Sequence, residues 1–218
     1  MPAGDSGSQS GTRSSEMLGV VRRCPLLIVL SGPSGVGKTT ITQALVRRGW
    51  KGHVVVTATT RRPRPGERDG VHYHFRTAEQ FHEMIQTGEL LEHAEVHGNW
   101  YGVPASPVRA QLAAGADVIL TIDPQGAQTI RERTTGAVSV FLVSESLDEL
   151  VERMSRRTYD TVEQRALRLL NAEREMAELP RYEYVIMNRQ GQLDDAVAQM
   201  QAIMAAEHCR VAPRCPQV

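Results

Sequence analysis

Net charge is what this sequence lacks most plainly. Its 218 residues carry 25 Lys and Arg against 25 Asp and Glu. A duplex-DNA binder usually has a basic excess, so no nucleic-acid partner is expected. Cysteine is scarce as well: Cys24, Cys209 and Cys215 form an odd set with no pair at CxxC spacing. Such a set does not read as a disulfide framework; free thiols in a reducing compartment, the cytoplasm, are the expectation. Long apolar runs are also missing. No segment approaches the length needed to span a bilayer, and Leu26–Leu30 is too short for a signal-peptide core and follows Pro25. No membrane attachment is expected.

What is present is enough apolar material for a core, at 41% of residues, in a length that suits one domain with an inserted lobe. Residues 1–18 are rich in Ser and Gly, and 1–24 are expected to form a disordered leader or a remnant of cloning. The last ten residues, 209–218, carry Pro213 and Pro216 and are expected to form a loose tail. Oligomeric state is left open by the sequence.

Apolar runs without strict alternation lie at 26–30, 53–57, 117–123, 137–143 and 184–188, as expected of strands buried on both faces. Helical patterns lie between them, at 38–48, 104–114, 124–132, 146–156, 161–178 and 192–206, with a further one at 77–86. Alternating strands and helices predict an α/β fold: a parallel sheet flanked by helices. The segment 58–103 breaks the rhythm. It is rich in Pro, Gly, His, Tyr and Arg, and reads as an inserted lobe of strands and loops.

The stretch LLIVLSGPSGVGKTT places GxxxxGK[ST] directly after a strand and at the start of a helix. That is the context a phosphate-binding loop requires. Its glycines let the backbone turn tightly and aim amides at phosphate oxygens, and the helix N-terminus adds partial positive charge. Gly32, Pro33, Ser34, Gly35, Val36, Gly37, Lys38, Thr39 and Thr40 are therefore expected to hold a nucleoside triphosphate. Lys38 is expected to reach the β- and γ-phosphates, and the Thr39 hydroxyl to meet Mg²⁺. Asp123, at the end of DVILTID, is the expected acidic partner of that ion; as a plain alternative it caps the next helix. Asp123-Pro124-Gln125-Gly126 also matches the DxxG of GTPases, but no NKxD element follows.

A second anion site is legible in TTRRPRPGERDGVHYHF, Thr59 to Phe75. The prolines hold the piece extended, so the forks of Arg61 and Arg64 suit phosphate oxygens, with Tyr73 and Tyr101 as hydroxyl donors. From spacing alone a solvated basic turn is an equal alternative.

The segments SGPSGVGKTT, TTRRPRPGE, DGVHY, LLEHAEVHGNWYG and IDPQGAQ, in this order and spacing, closely resemble the guanylate kinase family over about residues 25–207. The resemblance implies a P-loop fold at 25–208, with a GMP-binding lobe at 58–103 and a helical lid at 150–178. It implies an enzyme that passes the γ-phosphate of ATP to GMP with Mg²⁺. It also implies roles. Arg61, Arg64, Tyr73 and Tyr101 match the family's GMP-phosphate ligands. Glu92 matches the carboxylate that accepts from guanine N1–H and its exocyclic amine, a donor pair adenine lacks. Arg153, Arg157 and Arg168 match lid arginines, the last two with Lys38 in catalytic roles, and Asn188 matches a contact to adenine. Three positions depart from the family pattern: Thr57, which keeps the hydroxyl of the usual Ser and belongs with the GMP ligands; Val103, where Ser or Thr is common; and Thr121, where an acid is common. Relatives of the fold that bind phosphopeptides without catalysis, and a kinase for another phosphorylated acceptor, are the alternatives.

Overall fold

The computed structural model describes residues 23–96, 98–155 and 162–218, with side chains described up to Arg153 and again from Leu169 around the second gap. Most of the leader expected at 1–24 lies outside this range, as does Arg157; Arg168 falls within a described helix, but its side chain lies outside the description.

A parallel sheet of order β2-β7-β1-β8-β9 forms the body. Its strands are β1 (Leu27–Ser31), β2 (His53–Val54), β7 (Val118–Thr121), β8 (Val138–Val143) and β9 (Tyr184–Met187). β1 is central and buried along its whole length. Because side chains alternate across a strand, Ile28 and Leu30 face one layer while Leu27 and Val29 face the other. The first layer is made by α1 (Lys38–Arg47) and α7 (Leu193–His208), which bring Ile41, Leu45, Val197, Met200 and Met204 against the sheet. The second is made by α3 (Ala105–Ala113) and α4 (Pro124–Arg133), through Ala105, Val108, Ala127 and Ile130. Burial on both faces explains why these strands read as unbroken apolar runs.

Residues 58–104 leave this body and build a second, smaller sheet of order β4-β3-β6-β5. It comprises β3 (Ala58–Thr59), β4 (His74–Phe75), β5 (Leu90–Val96) and β6 (Asn99–Pro104), with α2 (Ala78–Gln86) packed on it through Phe81. α2 is closed by a capping box in which Thr77 and Gln80 satisfy each other's backbone amides. Trp100 packs beside Phe81 and His93 in this lobe. α5 (Leu147–Ser155) and α6 (Val162–Met176) pack against each other beyond β8.

Two expectations are corrected. Cys24 and Cys215 form a disulfide, with Cα atoms 5.2 Å apart across 191 residues of sequence, and Cys209 is the free thiol. The tail is fastened rather than loose. Thr135 and Gln217 exchange backbone hydrogen bonds of 3.2 and 3.4 Å. Arg214 pairs with Glu183 at 2.6 Å and with the buried Glu207 at 2.8 Å. Val218 packs against the α3–α4 layer. The sequence showed prolines and no apolar run here, but not the charge partners waiting just before β9 and on α7. No helix among the described residues is long and apolar enough to cross a membrane.

Candidate functional site

The loop 32–37 leaves the carboxyl end of the central strand, at the point where the strand order turns to either side. In open α/β sheets that is where ligands bind. The loop closes on itself through Val36 N–H donating to the Pro33 carbonyl at 3.3 Å, and α1 begins with Ile41 N–H donating to Gly37 O at 3.1 Å. Lys38 lies along the loop: its Nζ donates to the carbonyls of Gly32 at 2.5 Å and Pro33 at 3.2 Å. Burial pulls the Lys38 ammonium below its usual pKa, while the charges of Glu175 and Asp123 push it back up.

Asn188 braces the loop from below. Its Nδ2 donates to the Val36 carbonyl at 2.8 Å, and the residue is 7% exposed. Arg153 donates to the Asn188 carbonyl at 3.0 Å and to Glu149 at 2.5 Å, so α5 is tied to the strand end that supports the loop. Neither Asn188 nor Arg153 lines the cavity in front of the loop. The side chain for which the resemblance implied an adenine contact is thus turned to the loop backbone.

The second anion site is preorganised by a residue that the sequence reading left without a role. Both carboxylate oxygens of Glu67 accept from Arg61 Nη2 at 2.9 Å, and one accepts the Arg64 backbone N–H at 2.8 Å. The Arg61 guanidinium also lies 5.3 Å from the Tyr73 ring centroid. Held this way, Arg61 is raised above its usual pKa by Glu67 against the effect of burial, and Glu67 is lowered below the usual carboxylate range by the Arg64 amide and Arg61. Tyr73 and Tyr101 meet edge to face at 6.1 Å.

Glu92 is the deepest acid of the site, 2% exposed. Burial first, then the charge of Asp123, pushes its pKa up to about 8. It stands against the first turn of α4, where Gly126 leaves room: a Cβ there would meet Glu92 Oε2 at 2.6 Å. Asp123 caps that helix, its Oδ1 accepting from Gln125 N–H at 2.8 Å and Gly126 N–H at 3.0 Å. Val103 is fully buried in the α3–α4 core layer, so its apolar side chain is a packing choice.

These pieces meet in one place. A single cavity of about 270 Å³ is lined by Ser34 to Thr40 of the loop, by Thr57, Arg61, Arg64, Tyr73, Glu92 and Tyr101 of the lobe side, and by Thr121, Asp123 and Glu175. Gly32 and Pro33 stand behind it, as the acceptors for Lys38. For Mg²⁺ the residues present fit an ion that arrives with a triphosphate. Thr39 offers a hydroxyl and Asp123 a carboxylate to the same cavity, and no cluster of three or more His, Cys, Asp or Glu arranged to hold a metal is found among the described residues. Mg²⁺ keeps its waters and binds through few protein ligands plus phosphates, which suits so sparse a donor set.

A glycine-rich loop after the central strand of a 2-7-1-8-9 parallel sheet, facing an arginine-bearing lobe, defines a P-loop α/β protein that binds phosphorylated ligands. Comparison with known proteins narrows this. The guanylate kinase family model matches residues 25–207. The guanylate kinase of Clostridium perfringens is 45% identical over 186 residues, 85% of each chain. That of Desulfitobacterium hafniense is 46% identical over 85% of this chain and 92% of its own. The crystal structure of the guanylate kinase from Anaplasma phagocytophilum superposes with a TM-score of 0.70 at 30% identity, covering 87% of this chain and 89% of that one. The chain belongs to the guanylate kinase family.

Proposed function

We propose that this enzyme transfers the γ-phosphate of ATP to GMP. The observation that carries the reading is the shared cavity, in which the phosphate-binding loop and the Arg61–Arg64 pair face each other. Phosphoryl transfer needs little covalent help from a protein; it needs the two substrates held in line and the spreading negative charge met by fixed cations.

In this reading the loop amides of Ser34 to Thr40 bind the ATP phosphates and Lys38 turns from its own loop carbonyls to the β- and γ-phosphates. Arg61, Arg64, Tyr73 and Tyr101 hold the phosphate of GMP. Glu92 and Thr57 face the guanine edge. Asn188 and Arg153 act on ATP through the loop they brace, and Arg157 and Arg168 complete the charge stabilisation from the lid. Mg²⁺ held by the triphosphate, Thr39 and, through its waters, Asp123 would supply charge neutralisation at the phosphates. The reading carries with it a cytoplasmic location, where both nucleotides are at hand and where the Cys24–Cys215 bridge is exposed to a reducing thiol pool.

The test is a coupled assay for ADP release with GMP, dGMP, IMP and AMP side by side. Rapid ADP release with GMP, and little with AMP, is expected. ADP release that is no faster with GMP than with water alone refutes the proposal.

A further inference from the structure

Glu175 stands near the end of α6, yet it touches the phosphate-binding loop. The Ser34 N–H donates to its Oε2 at 3.0 Å, across 141 residues of sequence. That amide belongs to the set a phosphate oxygen would take. To such an amide a carboxylate oxygen and a phosphate oxygen are the same kind of partner, an anionic acceptor in a charge-assisted bond. Glu175 also lines the cavity with Lys38 and Asp123, and its charge acts on Lys38.

The rest of the helix end is seated on the body. Ala172 is buried in the layer that holds Leu30 and Val36. From that seat Glu175 reaches forward to the loop. A phosphate arriving at Ser34 meets a carboxylate on the same N–H, and two anions sharing one donor repel each other.

We propose that Glu175 competes with the donor nucleotide's phosphate for the Ser34 amide, so that nucleotide binding and release of α6 from the loop are one exchange. This rests on the reading that the loop holds ATP. Glu175 is then a positioning residue with two effects. It weakens nucleotide affinity at the loop, and it returns to Ser34 as ADP departs, which favours product release, the step that limits many such enzymes.

The experiment is calorimetric titration of the wild type, E175A and E175Q with ADP without metal, with GMP as the control ligand. Binding about tenfold tighter for ADP is expected in E175A, the equivalent of one charge-assisted hydrogen bond no longer displaced. A smaller gain is expected in E175Q, which keeps an acceptor but not the charge. GMP affinity should stay constant, and the KM for ATP should fall while that for GMP does not. Unchanged or weaker ADP binding in both variants, with the wild type binding normally, overturns the inference alone. A wild type that does not bind ADP overturns the loop assignment and the inference with it. E175Q preserves shape and length, so it decides the matter should E175A fold poorly.

Discussion

The Asn188 carboxamide occupies the space beside Gly37: its Nδ2 lies 2.4 Å from where a Cβ on that glycine would sit. Gly37 also has φ of 106°, a conformation L side chains rarely adopt. The last turn of the phosphate loop is therefore shaped twice, by its own backbone and by a side chain from the end of β9.

Replacing Asn188 with Ala should free the Val36 carbonyl and slacken the loop. A loss of about 1–3 kcal/mol in unfolding free energy is expected for the orphaned acceptor, together with a higher KM for ATP and an unchanged KM for GMP. Urea melts and steady-state kinetics check both. If Asn188 acted only on adenine, the melt would not move.

Lys38→Ala should lower kcat roughly a hundred- to a thousandfold, the range for removing one preorganised charge-stabilising donor. The GMP dissociation constant should hold, because Arg61 and Arg64 are untouched. A coupled assay and direct GMP titration make the comparison.

Glu92 gives a pH signature. Its pKa is raised by burial from 4.5 to about 8, so the folded protein keeps a proton that the unfolded chain gives up above pH 4.5. The sign follows: Glu92 favours the fold least at high pH, and stability falls as pH rises from about 4.5 through about 8. E92Q should flatten that part of the melting-temperature profile. Guanine needs the ionised carboxylate as its acceptor, so GMP binding should release a proton at pH 7. Calorimetry in buffers of different ionisation heat measures it, and no proton release would count against Glu92 as the base-reading group.

Glu67→Ala should act on the acceptor side alone. Without the carboxylate that holds Arg61 at 2.9 Å, the guanidinium regains its rotamers. A rise of about tenfold in the KM for GMP is expected from lost positioning, with the KM for ATP constant.

Much of this was legible in the sequence, for a physical reason. The strands are buried on both faces, so they read as apolar runs, and the loop and the Arg61–Arg64 element carry backbone demands that only Gly and Pro meet. What was not legible was pairing across distance. Glu175 sits in a stretch with Glu173, Arg174 and Glu178, where every acid looks like a solvated one. Glu67 reads as a turn acid until Arg61 is seen folded onto it. Asn188 ends a strand, and nothing in its neighbours says whether it faces a ligand or the loop. Cys24 and Cys215 are nearly the length of the chain apart, and spacing says nothing about which ends meet.

Reduction should therefore expose a large share of the stability. Closing a loop of 191 residues contributes on the order of 5 kcal/mol in the chain-entropy picture. Cys215→Ser, or a strong reductant, should lower the melting temperature by about 10 °C. Near-native activity at 25 °C should remain, because the cavity lies at the other end of β1.

The same cross-link has a mechanical meaning. It sits just before the first strand and just after the last helix, so the intervening polypeptide is a covalent ring. Tension applied at either terminus runs through the sulfur bridge and bypasses the sheet. An unfolding motor that threads one strand of chain at a time would meet a doubled strand first, and would have to wait for a thiol to open it.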